Sequence, residues 1–333
     1  MPLAGKRVLI FQSTRYLGDF LLTLPAVRAA KEAGAIPILL SHEKFEGLAG
    51  LLGVETVCWD KDGAGRGLRG MSDVVRRIKA ARPQVAILPH KSPRSAIVAF
   101  SAGIPERIGF SDSPARALYT ASIPYEPGIH EVVRFQKLLL PAGLPDSLIR
   151  EEMWFPNREN LAKAGEAFAV PEPFVLVAPG ASWRVKCWSP EGFAAVARHL
   201  SGIGFRVIIT GGKGDVPLTR EVASLAPGSL DLAGRLSLPE FMGLVGLAKL
   251  VLSGDSAPVH AAGVFGTPCV AVYGPTVKEM GFWPLSPKSR IVEVQLNCRP
   301  CKARAERPCP LGHHNCMRRI SPEMVIRACE DVL

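Results

Sequence analysis

Short apolar runs alternate with longer mixed stretches along the whole chain, and that alternation predicts an architecture. Arg7 to Phe11 is a compact apolar run, followed by a polar loop from Gln12 to Asp19 and an Ala-rich stretch to Ala33, which reads as strand, loop and helix. Ile36 to Ser41, Val54 to Trp59 and Val85 to Leu88 repeat the strand signature, with a basic helix over Met71 to Ala81. From Tyr125 to Arg158 the signal becomes helical and then irregular, punctuated by Pro141, Pro145 and Pro156, with Pro171 beyond. A domain boundary is expected between Pro156 and Pro171. The alternation then restarts: strands at Phe174 to Ala178, Arg206 to Thr210, Leu250 to Ser253 and Pro268 to Tyr273, helices at Pro190 to Ile203, Leu238 to Ala248 and Val259 to Phe265, and a final helix from Pro322 to Leu333. Strands alternating with helices imply an α/β fold with parallel, doubly wound sheets, in two Rossmann-like domains over residues 1–160 and 161–320.

Composition narrows the class. A length of 333 residues with 47% apolar content exceeds one small module, and charged residues at 21% are too few for a disordered chain. No apolar run approaches the roughly 18 residues of a membrane span, and Val8 to Phe11 is too short for a signal-peptide core, so a cytoplasmic protein is expected. The formal charge of +10 suits an anionic partner, whether phosphate, nucleic acid or an acidic membrane face. Half of that excess lies between Cys298 and Ile320, where Arg299, Lys302, Arg304, Arg307, Arg318 and Arg319 face only Glu306.

The chemistry concentrates in three loops after expected strands, where doubly wound sheets bind ligands. They are Pro179-Gly180-Ala181-Ser182 with Lys186 and Trp188, Thr210-Gly211-Gly212-Lys213-Gly214-Asp215, and Gly254-Asp255-Ser256-Ala257-Pro258-Val259-His260. Small residues admit a ligand close to the backbone, and amides at a helix start hold phosphate oxygens, so the loops describe an anion pocket for a nucleotide. Singly, each also reads as a turn: Asp255 and Ser256 could cap the helix at Val259, and His260 could be a helix histidine.

Other motifs are weaker. Gly65, Gly67 and Gly70 formally match G-x-G-x-x-G, but the preceding strand ends far upstream and the segment reads as a flexible basic loop. His130-Glu131-Val132-Val133-Arg134 lacks the second histidine of a metalloprotease helix. Cys298, Cys301, Cys309 and Cys316, with His313 and His314 in the last interval, hold enough soft ligands for tetrahedral zinc, or are reduced thiols packing a long excursion.

The chain resembles glycosyltransferase family 9, the heptosyltransferases of the lipopolysaccharide inner core. The resemblance is carried by Leu17-Gly18-Asp19, Thr23-Leu24-Pro25, Ile104-Pro105-Glu106-Arg107-Ile108-Gly109, Pro179-Gly180-Ala181 with Lys186 and Trp188, Gly211-Gly212, Gly234-Arg235-Leu236-Ser237-Leu238, Asp255-Ser256 with His260, and Tyr273-Gly274-Pro275-Thr276. It implies the GT-B glycosyltransferase fold, two Rossmann-like domains facing a cleft, with acceptor on the first, donor on the second and the last helix, 321–333, packing back on the first. It also implies inverting transfer of heptose from ADP-heptose to an anionic Kdo-lipid A acceptor, with no obligatory metal.

Such a transfer needs a base for the acceptor hydroxyl and a cation for the departing diphosphate. Asp19, in the first loop, is the expected base, which the resemblance supports, although it could instead cap the following helix. Lys186 is the expected leaving-group cation, with Ser182 and Thr276 as further donors, and Asp255 with the amides after it is expected to hold sugar hydroxyls. By resemblance Asp231 stands where an acidic residue meets the adenosine ribose. Ala257 departs from the family's usual glycine, and Ser13-Thr14-Arg15-Tyr16 departs from its small-residue first loop. Arg15, Lys91, Arg94 and Arg107 are placed to meet acceptor charges, or form a solvated basic face. The cysteine tail resembles the second heptosyltransferase more than the first. Peripheral contact with the inner face of the inner membrane follows from the lipid acceptor. Two other readings stand beside this one: a family member using another nucleotide sugar, and a non-catalytic basic protein on nucleic acid or membrane, although basic residues without interleaved aromatics make nucleic acid unexpected.

Overall fold

Strands buried on both faces read as unbroken apolar runs because helices cover both sides of a parallel sheet. The computed structural model describes residues 3–168, 170, 173–301 and 308–333; Pro171, Lys302, Arg304, Glu306 and Arg307 lie outside them. The chain divides into two units, Met1–Asn157 and Arg158–Leu333. The first runs β1 (Arg7–Gln12), α1 (Leu17–Glu32), β2 (Ile36–Ser41), α2 (Glu46–Ala49), β3 (Glu55–Cys58), α3 (Gly67–Ala81), β4 (Val85–Leu88), α4 (Pro93–Ser101), β5 (Glu106–Phe110), β6 (Ala121–Ile123) and α5 (Glu131–Lys137). The second runs α6 (Arg158–Glu166), β7 (Phe174–Ala178), α7 (Pro190–Gly202), β8 (Arg206–Ile209), α8 (Val216–Leu225), β9 (Leu230–Asp231), α9 (Leu238–Leu247), β10 (Leu250–Gly254), α10 (Ala257–Phe265), β11 (Cys269–Val272), β12 (Ser289–Val292), α11 (Asn315–Arg318) and α12 (Pro322–Glu330).

Each unit holds a six-stranded parallel sheet, ordered β3-β2-β1-β4-β5-β6 and β12-β11-β10-β7-β8-β9. Counted within its own unit, the second has the same Rossmann order as the first. The order reverses between β1 and β4 and between β7 and β10, and the crevice beyond the carboxyl ends of such a pair is where these sheets take ligands. The two switch points locate the regions that matter for chemistry.

In the first unit Leu9, Phe11, Ile38, Leu40 and Leu88 pack against Val74 and Ile78 of α3 and Val98 and Ala99 of α4. In the second, Val175, Val177, Leu252 and Val270 meet Phe193, Val196 and Leu200 of α7. At about 1.5–3 kcal/mol for each fully buried aliphatic or aromatic side chain, these clusters fix the strand ends on which the site stands.

The apolar positions Val325, Ala328, Cys329 and Val332 of α12 recur at helical spacing and join the core of the second unit. The unit boundary falls after Asn157, within the span from Pro156 to Pro171, and α6 packs on α9: a side chain on Gly165 or Gly243 would collide with the facing helix backbone. One expectation is corrected. The glycine segment after β3 is no flexible loop. Asp60 accepts the backbone amides of Asp62, Gly63 and Ala64, α3 starts at Gly67, and a Cβ on Gly70 would strike the Gly65 carbonyl.

Candidate active site

In the first unit the loop from β1 leads into α1, whose N-cap is Tyr16, so Asp19 lies inside the first turn rather than capping it. Thr23 donates to the Asp19 carbonyl oxygen at 2.8 Å and ties down the backbone that carries the carboxylate. Among the described residues, no hydrogen bond or ion pair engages the half-buried carboxylate itself. It remains available to a ligand.

Three groups to which the sequence assigned no role lie within electrostatic range of Asp19. Lys61 donates to Ser13 Oγ at 3.2 Å; burial holds its ammonium below the usual lysine range, Asp62 and Asp19 oppose that, and Arg94 adds to it. His90, just after β4, packs edge-on against Phe135, and burial depresses its imidazole, opposed by Asp19 and reinforced by Lys61. Its Nε2 is buried with no hydrogen-bond partner among the described residues. Glu131, at the start of α5, accepts from the Tyr125 hydroxyl at 3.1 Å and pairs with the buried Arg134 at 2.6 Å.

Burial pushes the Glu131 carboxyl up to about 7, against Arg134 and Tyr125, which favour the carboxylate, while Asp19 pushes it further up. A carboxyl raised in the folded state adds stability at pH below its unfolded value, and that contribution is lost as pH rises through the folded one. Relative to the Glu131→Gln variant, the protein is therefore expected to lose on the order of 3 kcal/mol between about pH 4.5 and 7. Parallel chemical melts across that range check it, a flat difference being the contrary result.

Beside Asp19 the same unit opens a pocket of about 520 Å³ lined by Thr14, Arg15, Tyr16, Lys61, Asp62, Arg66 and Arg94. Four cations face one carboxylate, and such an excess is relieved by an anion. Arg94 is held there by the Lys61 carbonyl at 2.7 Å. Of the four expected acceptor residues, Arg15 and Arg94 line this pocket and Lys91 and Arg107 do not. Lys91 pairs with Asp112 at 2.5 Å and lies 3.7 Å over the Tyr125 ring. The Arg107 guanidinium donates to the carbonyls of Leu118 and Ile104 and covers Phe100.

In the second unit, Lys186 Nζ lies 2.6 Å from Asp255 Oδ2, and Thr276 Oγ1 donates to the same oxygen at 2.7 Å. Asp255 is 7% exposed and follows β10; the Lys186 loop follows β7, so the cluster stands at the switch point. Asp255 thus holds both Lys186 and Thr276. Lys186 also lies 4.9 Å over the Trp183 ring.

Around the cluster, Ser256 donates to the Gly180 carbonyl at 3.2 Å and shares a hydrogen bond with Ser253. Ser256 occupies the N-cap position of α10 without capping it through its side chain; Pro258 carries no N–H, and the Val259 amide donates to the Ser256 carbonyl at 3.2 Å. Gly180 and Gly211 both lack space for a side chain because the Asp215 carboxylate lies against them, accepting from the Gly212 amide at 2.8 Å. Ser182 is exposed on the β7 loop and His260 is buried in α10. Asp231, at the end of β9, accepts from Thr219 at 3.1 Å and from the Ala233 amide at 2.9 Å.

The cysteine tail braces this site. Trp188 donates to the Ile320 carbonyl at 3.1 Å, His314 Nε2 lies 2.8 Å from the Val185 carbonyl, and Met317 fills the space a Gly274 side chain would need. Arg299 donates to the Thr276 carbonyl at 2.6 Å, and the Cys301 amide to the Pro275 carbonyl at 2.7 Å. Cys298, Cys301, Cys309 and Cys316 are thiols, and among the described residues no three metal-ligating side chains converge. Burial pushes the Cys316 thiol up, whereas backbone amides, His314 first, hold that of Cys309 down.

Comparison with known proteins places the fold and the family. Lipopolysaccharide heptosyltransferase 3 of Escherichia coli is 31% identical over 172 residues, 48% of this chain and 49% of that protein, so the chain spans about half the length of this curated relative. A glycosyl transferase family 9 structure from Veillonella parvula superposes with a TM-score of 0.85 at 22% identity, covering 100% of this chain and 98% of that one. The E. coli ADP-heptose lps heptosyltransferase II superposes at 0.79 and 21% identity, covering 98% of each. These likenesses establish the GT-B-like fold. Residues 71–312 match Glycosyltransferase family 9 (heptosyltransferase), and on that match over most of its length the chain belongs to this family.

Proposed function

We propose that the protein is an inverting glycosyltransferase that moves heptose from ADP-heptose to the inner core of a lipopolysaccharide precursor. The observation that carries the reading is the Lys186, Asp255 and Thr276 cluster at the switch point of the second unit, where a cation is fixed beside the start of α10. Such a site suits a nucleotide diphosphate. The fold shared with the E. coli ADP-heptose lps heptosyltransferase II supports ADP-heptose as donor.

In the proposed step Asp19 removes the acceptor hydroxyl proton as that oxygen attacks the anomeric carbon. The bond to the diphosphate breaks and the electron pair leaves with ADP, whose charge Lys186 neutralises. Asp231 is assigned to the ribose, and Gly180, Ser182, Gly211 and Gly212 to close backbone approach by the donor. The pocket of Arg15, Lys61, Arg66 and Arg94 takes the acidic groups of a Kdo-lipid A acceptor. Because that acceptor is anchored in lipid, the protein works at the inner face of the inner membrane. Among the described residues no helix is long and apolar enough to cross it.

The test is release of ADP together with a heptose mass increment on core-truncated lipid acceptor. Turnover with ADP-heptose and none with UDP- or GDP-sugars is expected. Turnover with another nucleotide sugar alone replaces the donor assignment, and no turnover with any sugar removes the reading.

A further inference from the structure

Helix α3 and its flanks carry Arg66, Arg69, Arg76, Arg77, Lys79 and Arg82, all exposed, against the single acid Asp73. Two cations are engaged: Arg76 with Asp73 at 2.5 Å and Arg77 with the Cys58 carbonyl. Arg69, Lys79 and Arg82 make no ion pair among the described residues. The buried side of the helix is Val74, Ile78 and Ala81, so the cations fill the face turned from the core.

Apolar side chains stand among them. Leu68, on the first turn of α3, is 86% exposed, and α4, packed on the same side of the sheet, shows Ile97 at 43% and Phe100 at 55%. An exposed leucine between Arg66 and Arg69 is costly in water and has no use in a nucleic-acid groove read through phosphates alone. Arg66 also lines the anion pocket, so the face runs on into it.

We propose that the α3 and α4 face docks the protein on a bilayer rich in anionic headgroups, with Leu68 entering the interface and the cations meeting the lipid phosphates. Positive charges near an acidic leaflet add attraction that decays within a Debye length of about 10 Å, and an inserted apolar side chain supplies the second signal that stable peripheral binding needs. The inference names the surface for the membrane contact proposed above, and it is read without turnover.

Flotation of the full chain with phosphatidylcholine vesicles, with and without phosphatidylglycerol, tests it. Binding to the anionic vesicles alone is expected, weakened by 0.5 M salt. The R69E/K79E variant is expected to bind about tenfold or more weakly, and Leu68→Ser several-fold more weakly. Both variants should melt as the parent and turn over a lipid-free oligosaccharide acceptor at the parent rate. Parent-like vesicle binding by both variants overturns the proposal, as does tighter binding of duplex DNA than of anionic vesicles. If no acceptor is turned over by any form, the vesicle result still decides the surface and only the enzyme reading falls.

Discussion

Asparagine in place of Asp19 is expected to lower kcat by about 10² to 10⁴, the range for removing a general base, while the affinity for ADP stays within twofold. The expectation separates chemistry from folding because the Asp19 carboxylate makes no hydrogen bond or ion pair among the described residues. The amide leaves no partner stranded, so the melting temperature should hold. Asparagine keeps the size and hydrogen-bonding capacity but not the basicity, so a large loss in kcat with KM for the acceptor little changed marks proton removal. Steady-state kinetics with ADP-heptose and a saturating acceptor measure this. Retention of more than a tenth of the turnover would move the base elsewhere, with Glu131 and His90 the remaining groups in electrostatic range.

Most of the scaffold around Asp19 was legible because parallel strands buried on both faces leave unmistakable apolar runs; β2, β4 and β7 fall where the pattern put them. Strands β5, β6 and β12 escaped because polar residues interrupt their apolar runs: Glu106, Arg107, Ser122 and Arg290. Their identity comes from pairing, not from their own residues. The anion loops of the second unit were found through their small residues, since a backbone that must lie against Asp215 or a ligand has to be glycine. Lys61 and His90 carried no local signal. They matter because β3 and β4 end beside the α1 turn, a relation set by sheet order. The carbonyl partners of Arg107, up to eleven residues away, likewise left no local signal, because they are brought to it by the pairing of β5 with β6.

Lys186→Met is expected to combine two losses that a third variant can pull apart. The ammonium stands 2.6 Å from a carboxylate that is 7% exposed, and removing it leaves Asp255 accepting from the Thr276 hydroxyl with no cation beside it at that distance. Stranding a buried charge costs about 3–5 kcal/mol, and the partial exposure of Lys186 brings the expected loss to about 2 kcal/mol. Turnover should fall by about 10² to 10³, the scale of a lost transition-state electrostatic contact. Asp255→Asn introduced into the Lys186→Met background removes the stranded charge while an amide oxygen still accepts from Thr276. The double variant should regain most of the stability, read from urea melts, and none of the turnover. If it regains turnover as well, Lys186 serves only to neutralise Asp255, and the charge on the departing diphosphate must be met by another group.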